Sequence, residues 1–165
     1  MKSVLRKNIR LLSVFNFLIG FSLFAPLAII YFSKVSGSFT LGASIFGIIM
    51  LSSAIFEVPT GIWSDKVGRK YTVVLGSWAR VIAFILYAIG LSYGWLVVGA
   101  VFEGLSRAFY SGNNDALLYD SLADEQLQES YDEFQGKVSS TEQFAMGSSA
   151  LLSGLIAFFS FNYLL

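Results

Sequence analysis

Gly61-Ile-Trp-Ser-Asp65-Lys-Val-Gly68-Arg69-Lys70 is the stretch on which the fold turns. It sets two glycines, a carboxylate and three cations between two apolar runs long enough to cross a membrane. Glycine permits the tight turn and the close helix approach that a short connection demands. Asp65 and Arg69 are placed to pair with each other or with neighbouring helix ends. Lys66, Arg69 and Lys70 hold the connection on the cytoplasmic side of a bilayer. A plain positive loop would account for these cations but leaves the Gly and Asp spacing unexplained. A nucleotide-binding glycine turn joins a strand to a helix, whereas these glycines join two apolar runs, which excludes that reading.

Outward from this stretch, the composition is that of a membrane protein. Of 165 residues, 55% are hydrophobic and only 13% charged, against about 25% charged in ordinary soluble domains. Mean hydropathy is +0.66. The formal net charge is zero, so no nucleic-acid partner is indicated. The absence of Cys removes disulfides, thiolate nucleophiles and zinc–cysteine sites, and the absence of His leaves proton handling to carboxylates. No nucleophile–base pair, metal-ligand cluster or phosphate loop is present, which argues against an enzyme and against any cofactor.

A hydrocarbon core of about 30 Å needs some 20 apolar residues in helical form. Five stretches qualify, at about 11–32, 41–63, 71–91, 95–118 and 139–164, with a kink expected at Pro26. Segments 64–70 and 119–138 connect them on the cytoplasmic side. The orientation follows from Lys2, Arg6, Lys7, Arg10, Lys66, Arg69, Lys70 and Lys137 on one side against Lys34 on the other. The amino terminus is therefore expected in the cytoplasm, in a multi-pass protein of the plasma membrane. The first apolar run exceeds a signal-peptide core of about 7–15 residues. In the acidic segment, Leu122, Leu127, Tyr131 and Phe134 recur at roughly helical spacing and predict a short interfacial helix.

Gly61-x-x-x-Asp65-x-x-Gly68-Arg69-Lys70 resembles the loop between the second and third helices of the major facilitator superfamily. The resemblance implies an all-α helix bundle of which this chain holds the first five of twelve helices. It also implies that Gly61, Asp65, Gly68, Arg69 and Lys70 form a latch against a helix of the second half. Arg107-Ala-Phe-Tyr-Ser-Gly112 resembles the family's fourth-helix pattern. There the arginine influences a proton-taking carboxylate in many proton-coupled members. Glu57-Val-Pro59-Thr-Gly61 and Asn114 to Leu122 resemble runs in bacterial members often labelled drug or multidrug exporters. The fifth span has small residues, Gly147, Ser148, Ser149, Ser153 and Gly154, but lacks the Gly-Pro of many proton antiporters.

Ionisable groups at membrane depth cost at least about 2.5–3.5 kcal/mol on insertion scales, so each is a candidate functional group. Glu103 and Arg107 stand one helical turn apart on one face. They form either a neutralising pair that only fixes packing or a coupling and substrate site. Arg80 either meets a carboxylate of another helix or faces an aqueous cavity. Asn16 and Asn113, with Asn114, either line that cavity or bond between helices. Glu57 and Asp115 lie nearer the interface and suit structural pairing, for instance with Arg69 or Lys70.

The expected function is secondary active transport of a small molecule by alternating access, proton-coupled and directed outward as efflux. Glu103 would take the proton and Arg107 modulate it. A sugar or metabolite facilitator or importer is the alternative in transport, and a membrane scaffold the alternative outside it. The expected partners are a small-molecule substrate, protons, the lipid bilayer and further carboxy-terminal helices, since five spans are read as a fragment of a twelve-helix protein.

Overall fold

The computed structural model describes residues 3–111 and 113–163. Among these residues the chain is helical almost throughout and contains no strand. The helices are α1 (Ser3–Gly20), α2 (Ala28–Ser36), α3 (Phe39–Val67), α4 (Arg69–Ile89), α5 (Tyr93–Tyr110), α6 (Asn113–Ala123) and α7 (Tyr131–Tyr163), with 3₁₀ turns at Ala25–Leu27 and Gln128–Ser130. Among the described residues, three segments are long and apolar enough to cross a membrane, namely Lys7–Ser36, Phe39–Val67 and Arg69–Ile89.

Helix boundaries depart from the spans read off the sequence, for local reasons. The first span is broken rather than kinked: α1 stops at Gly20, and a 3₁₀ turn carrying Pro26 precedes α2. Proline lacks the N–H an α-helix needs and clashes one turn back. The Ser22 hydroxyl accepts from the Ala25 N–H at 3.3 Å in that gap. The connection expected at 64–70 shrinks to a single residue, because α3 runs through Val67 and α4 opens at Arg69. Gly68 between them has φ 98°, a conformation costly for any residue with a Cβ. Its N–H reaches the Ser64 carbonyl at 2.9 Å and its own carbonyl accepts from Thr72 N–H at 3.3 Å, so one helix passes into the next. Likewise the fourth span ends at Tyr110 and α6 starts at Asn113, while the acidic segment is helical up to Ala123 and again from Tyr131.

The chain forms two compact units. One comprises the residues up to Ala28 and those from Leu118 onward, and the other Ile29–Leu117. In the first, α1 packs along α7. A Cβ on Gly20 would come within 2.9 Å of the Glu142 carbonyl, which records how near the two backbones lie. The Ser153 hydroxyl donates to the Leu23 carbonyl at 2.6 Å, satisfying a backbone group of the broken stretch. Leu118, Leu122 and Val138 form a small core with Ile9, Leu12, Leu127, Tyr131 and Phe134 around it. The four residues expected on one interfacial helix are thus shared among α6, the turn after it and α7.

In the second unit α5 packs against both α3 and α4. Small residues allow it. A Cβ on Gly104 would stand 2.5 Å from Ser52 Cβ and 2.6 Å from the Ile49 carbonyl. One on Gly99 would stand 2.6 Å from the Tyr87 ring. Close backbone approach of this kind drives association where lipid removes the hydrophobic difference between inside and outside. The outward faces are correspondingly apolar, with Met50, Leu51, Ile55, Val58 and Ile62 exposed on α3 and Val74, Trp78, Val81, Ile85 and Ile89 on α4.

Candidate functional site

A polar seam runs along the α4–α5 contact of the second unit. The two helices are antiparallel neighbours in sequence, and their register is fixed by two contacts. Tyr110 Oη donates to Ser77 Oγ at 3.1 Å, and Tyr87 Oη donates to Glu103 Oε2 at 2.9 Å. Arg107 lies one turn beyond Glu103 and donates from a guanidinium NH2 to Glu103 Oε1 at 2.8 Å. One carboxylate is therefore gripped by a cation of its own helix and by a phenol of the next.

Burial differs sharply across this cluster. Tyr87 is 2% exposed, the Glu103 side chain 18% and the Arg107 side chain 44%. The Tyr87 ring is held by Phe32 at 5.0 Å and Phe84 at 6.1 Å, between ring centres. The Tyr31 hydroxyl donates to the Tyr87 carbonyl at 2.5 Å, tying α2 to the end of α4. Arg80 places its guanidinium 5.7 Å from the centre of the Phe84 ring, a cation–π arrangement. A continuous path of contacts thus leads from Arg80 through Phe84 and Tyr87 to Glu103 and Arg107. At 1.5 Å per residue, Glu103 stands about 15 Å along α5 and Arg80 about 16 Å along α4, both near the middle of their helices.

Toward the start of α4 the polar groups are tied between helices. Thr60 Oγ1 donates to the Ala108 carbonyl at 3.2 Å. The Ser64 hydroxyl donates to Asn113 Oδ1, while Asn113 Nδ2 donates to the Phe109 carbonyl at 2.8 Å. Glu57 Oε1 accepts from the Ser111 hydroxyl at 2.9 Å, joining α3 to the residue after α5. Asp115 is exposed in the first turn of α6, where a negative side chain complements the helix dipole. Asn16 is buried on α1 in the first unit.

Of the turn residues, Asp65, Lys66, Gly68 and Lys70 are exposed and Arg69 is partly buried. Gly61 lies inside α3 with open space where a Cβ would sit, so its glycine serves no close approach among the described residues. Gly112, the end of the fourth-helix pattern, lies outside the described residues. Sequence reading missed Tyr87, Tyr31, Ser77 and Tyr110. The spacing of Arg80, Phe84 and Tyr87 along one face of α4 was a visible signal, but an aromatic at helical spacing reads first as packing.

Comparison with known proteins gives a consistent result. The profile of the Major Facilitator Superfamily matches residues 10–165. An uncharacterized MFS-type transporter of Methanocaldococcus jannaschii is 27% identical over 108 residues, covering 64% of this chain and 28% of that protein. An uncharacterized transporter of Buchnera aphidicola is 33% identical over 110 residues, covering 66% of this chain and 27% of that protein. The match thus spans little more than a quarter of each relative's length. No solved structure matches the chain significantly. A profile match over nearly all of a helical chain that turns on Gly68 leaves one conclusion: the chain belongs to the major facilitator superfamily.

Proposed function

We propose that the chain is the amino-terminal part of a proton-coupled secondary transporter that moves a small molecule by alternating access. The carrying observation is Glu103, a carboxylate near the middle of α5 bonded at once to Arg107 and to Tyr87. Placing such a group in a membrane is costly, and a carboxylate whose partners sit on two helices links its protonation to their packing. Alternating access would turn on a site between two helical halves, one of them begun by this chain. Gly61, Asp65, Gly68, Arg69 and Lys70 would latch that half to helices beyond residue 165, and the cytoplasmic side of the plasma membrane would hold the turn. Efflux is the direction favoured by the resemblance of the second and fourth spans to exporters.

Glu103→Gln in the full-length protein tests the reading. Vesicles with an imposed pH gradient should show substrate exchange without proton-driven accumulation. Accumulation equal to that of the unaltered protein would remove Glu103 from the coupling role.

A further inference from the structure

Helix α1 ends inside the first apolar segment rather than at its edge. Gly20, its last residue, falls near the middle of Lys7–Ser36, a stretch long enough to cross a membrane. A helix that stops there leaves its last carbonyls pointing along the axis, where they carry the negative end of the helix dipole. The Phe17 carbonyl is met by the Phe21 N–H at 2.8 Å. The Leu18 and Gly20 carbonyls accept no hydrogen bond among the described residues. Lipid offers such groups no water, so they belong against protein or in a polar cavity.

A carboxylate stands at the same place. A Cβ on Gly20 would lie 3.0 Å from Glu142 Cγ and 3.4 Å from Ala145 Cβ, which puts the Glu142 side chain beside the end of α1. Glu142 is partly buried, and among the described residues it makes no hydrogen bond or ion pair. Its own unit supplies no cation near it. Neither 11–33 nor 138–165 contains Lys or Arg. Arg10 precedes Gly20 by ten residues, about 15 Å of helix, and Lys137 donates to Glu133 at 2.5 Å. Ser149 and Ser153, both buried, follow Glu142 by two and three turns on one face of α7. Ser153 bonds the Leu23 carbonyl beyond the break, so Ser149 lies level with the residues between Gly20 and Leu23. The Ser149 hydroxyl donates to the Met146 carbonyl at 3.0 Å, and its oxygen keeps a lone pair with which to accept.

We infer that the break in the first segment, together with Glu142, seats a small monovalent cation, either a sodium ion or a primary ammonium group. Carboxylate, carbonyl and hydroxyl oxygens gathered without a donor repel one another, and a compact hard cation satisfies them at once. A lone charge is costly in a membrane, and the cation neutralises it. Interrupted helices hold cations in this way elsewhere, through unwound carbonyls and the C-terminal ends of half-helices. Glu103 is a different kind of group, because Arg107 already neutralises it. The cation seat therefore stands apart from the coupling role of Glu103.

The test uses the full-length protein in lipid nanodiscs, held in choline chloride at constant ionic strength and titrated calorimetrically with sodium chloride or methylammonium chloride. At least one of the two cations should bind. Glu142→Gln should weaken that binding by about tenfold or more. Glu142→Asp, which keeps the charge, should bind with intermediate strength and guards against misfolding of the glutamine variant. Glu129→Gln, at an exposed position, should leave binding unchanged. Sodium binding assigns the seat to an ion, and binding of methylammonium alone assigns it to the ammonium group of a substrate. Binding of neither cation, or equal binding by Glu142→Gln and the parent, overturns the inference. Equal weakening by Glu129→Gln would mark a bulk charge effect and overturns it too. Glu103→Gln is read by proton-driven accumulation, so the two readings fail separately.

Discussion

Glu103 holds its position through two hydrogen bonds that come from different helices, and the one from Tyr87 is the more informative. The phenol is buried, its ring seats against Gly99, and its hydroxyl points at the carboxylate. Tyr87→Phe removes the hydroxyl and keeps the ring. A hydrogen bond to a charged group contributes about 1.5–3 kcal/mol, enough to change a protonation-linked equilibrium at least tenfold. Tyr87→Phe in the full-length protein should therefore keep its fold, as judged by gel filtration and circular dichroism, yet depress proton-driven accumulation by about an order of magnitude. A variant that accumulates substrate like the parent would mean that Arg107 alone positions Glu103. The Glu103–Arg107 pair was legible from its spacing of four. Tyr87 was not, since its partner is sixteen residues away on another helix.

Among elements, α5 is the one the second unit is built around, and its glycines decide how near α3 and α4 come. Gly104 faces backbone atoms of α3, namely the Ile49 carbonyl and the Ser53 nitrogen, which have no rotamer through which to yield. Overpacking at such a point costs about 1–3 kcal/mol. Gly104→Ala should lower the thermal midpoint of the detergent-solubilised protein, whereas Gly147→Ala, with open space around it, should not. Equal midpoints for the two variants would show that α3 and α5 adjust freely. Segment type was readable at this scale from apolar run length. Where helices stop was not. Pro26 announced a disturbance, but whether it kinks or breaks a helix depends on which groups receive the released backbone bonds. Here Ser22 and Ser153 do so.

For the molecule as a whole, orientation in the membrane is the property that cations alone predict, and the lack of Cys makes it easy to measure. Lys34→Cys and Lys66→Cys, both at exposed positions, belong in a full-length protein cleared of other cysteines. A membrane-impermeant maleimide should label the first in intact cells and the second only after permeabilisation. The reverse pattern would invert the topology and move the Gly68 turn outside. From the sequence alone came the membrane class, the all-α architecture and the family, because apolar run length, loop charge and a ten-residue motif are local properties of a chain in a bilayer. Which polar groups meet was decided only by the tertiary structure. Interhelical contacts such as Tyr87 to Glu103, Ser64 to Asn113 and Glu57 to Ser111 depend on register and on how closely glycines let helices approach. The two glycines of the Gly61–Lys70 motif differ in the same way. Its glycine at position 68 is required by a backbone with positive φ, while the one at position 61 has no such requirement within this chain.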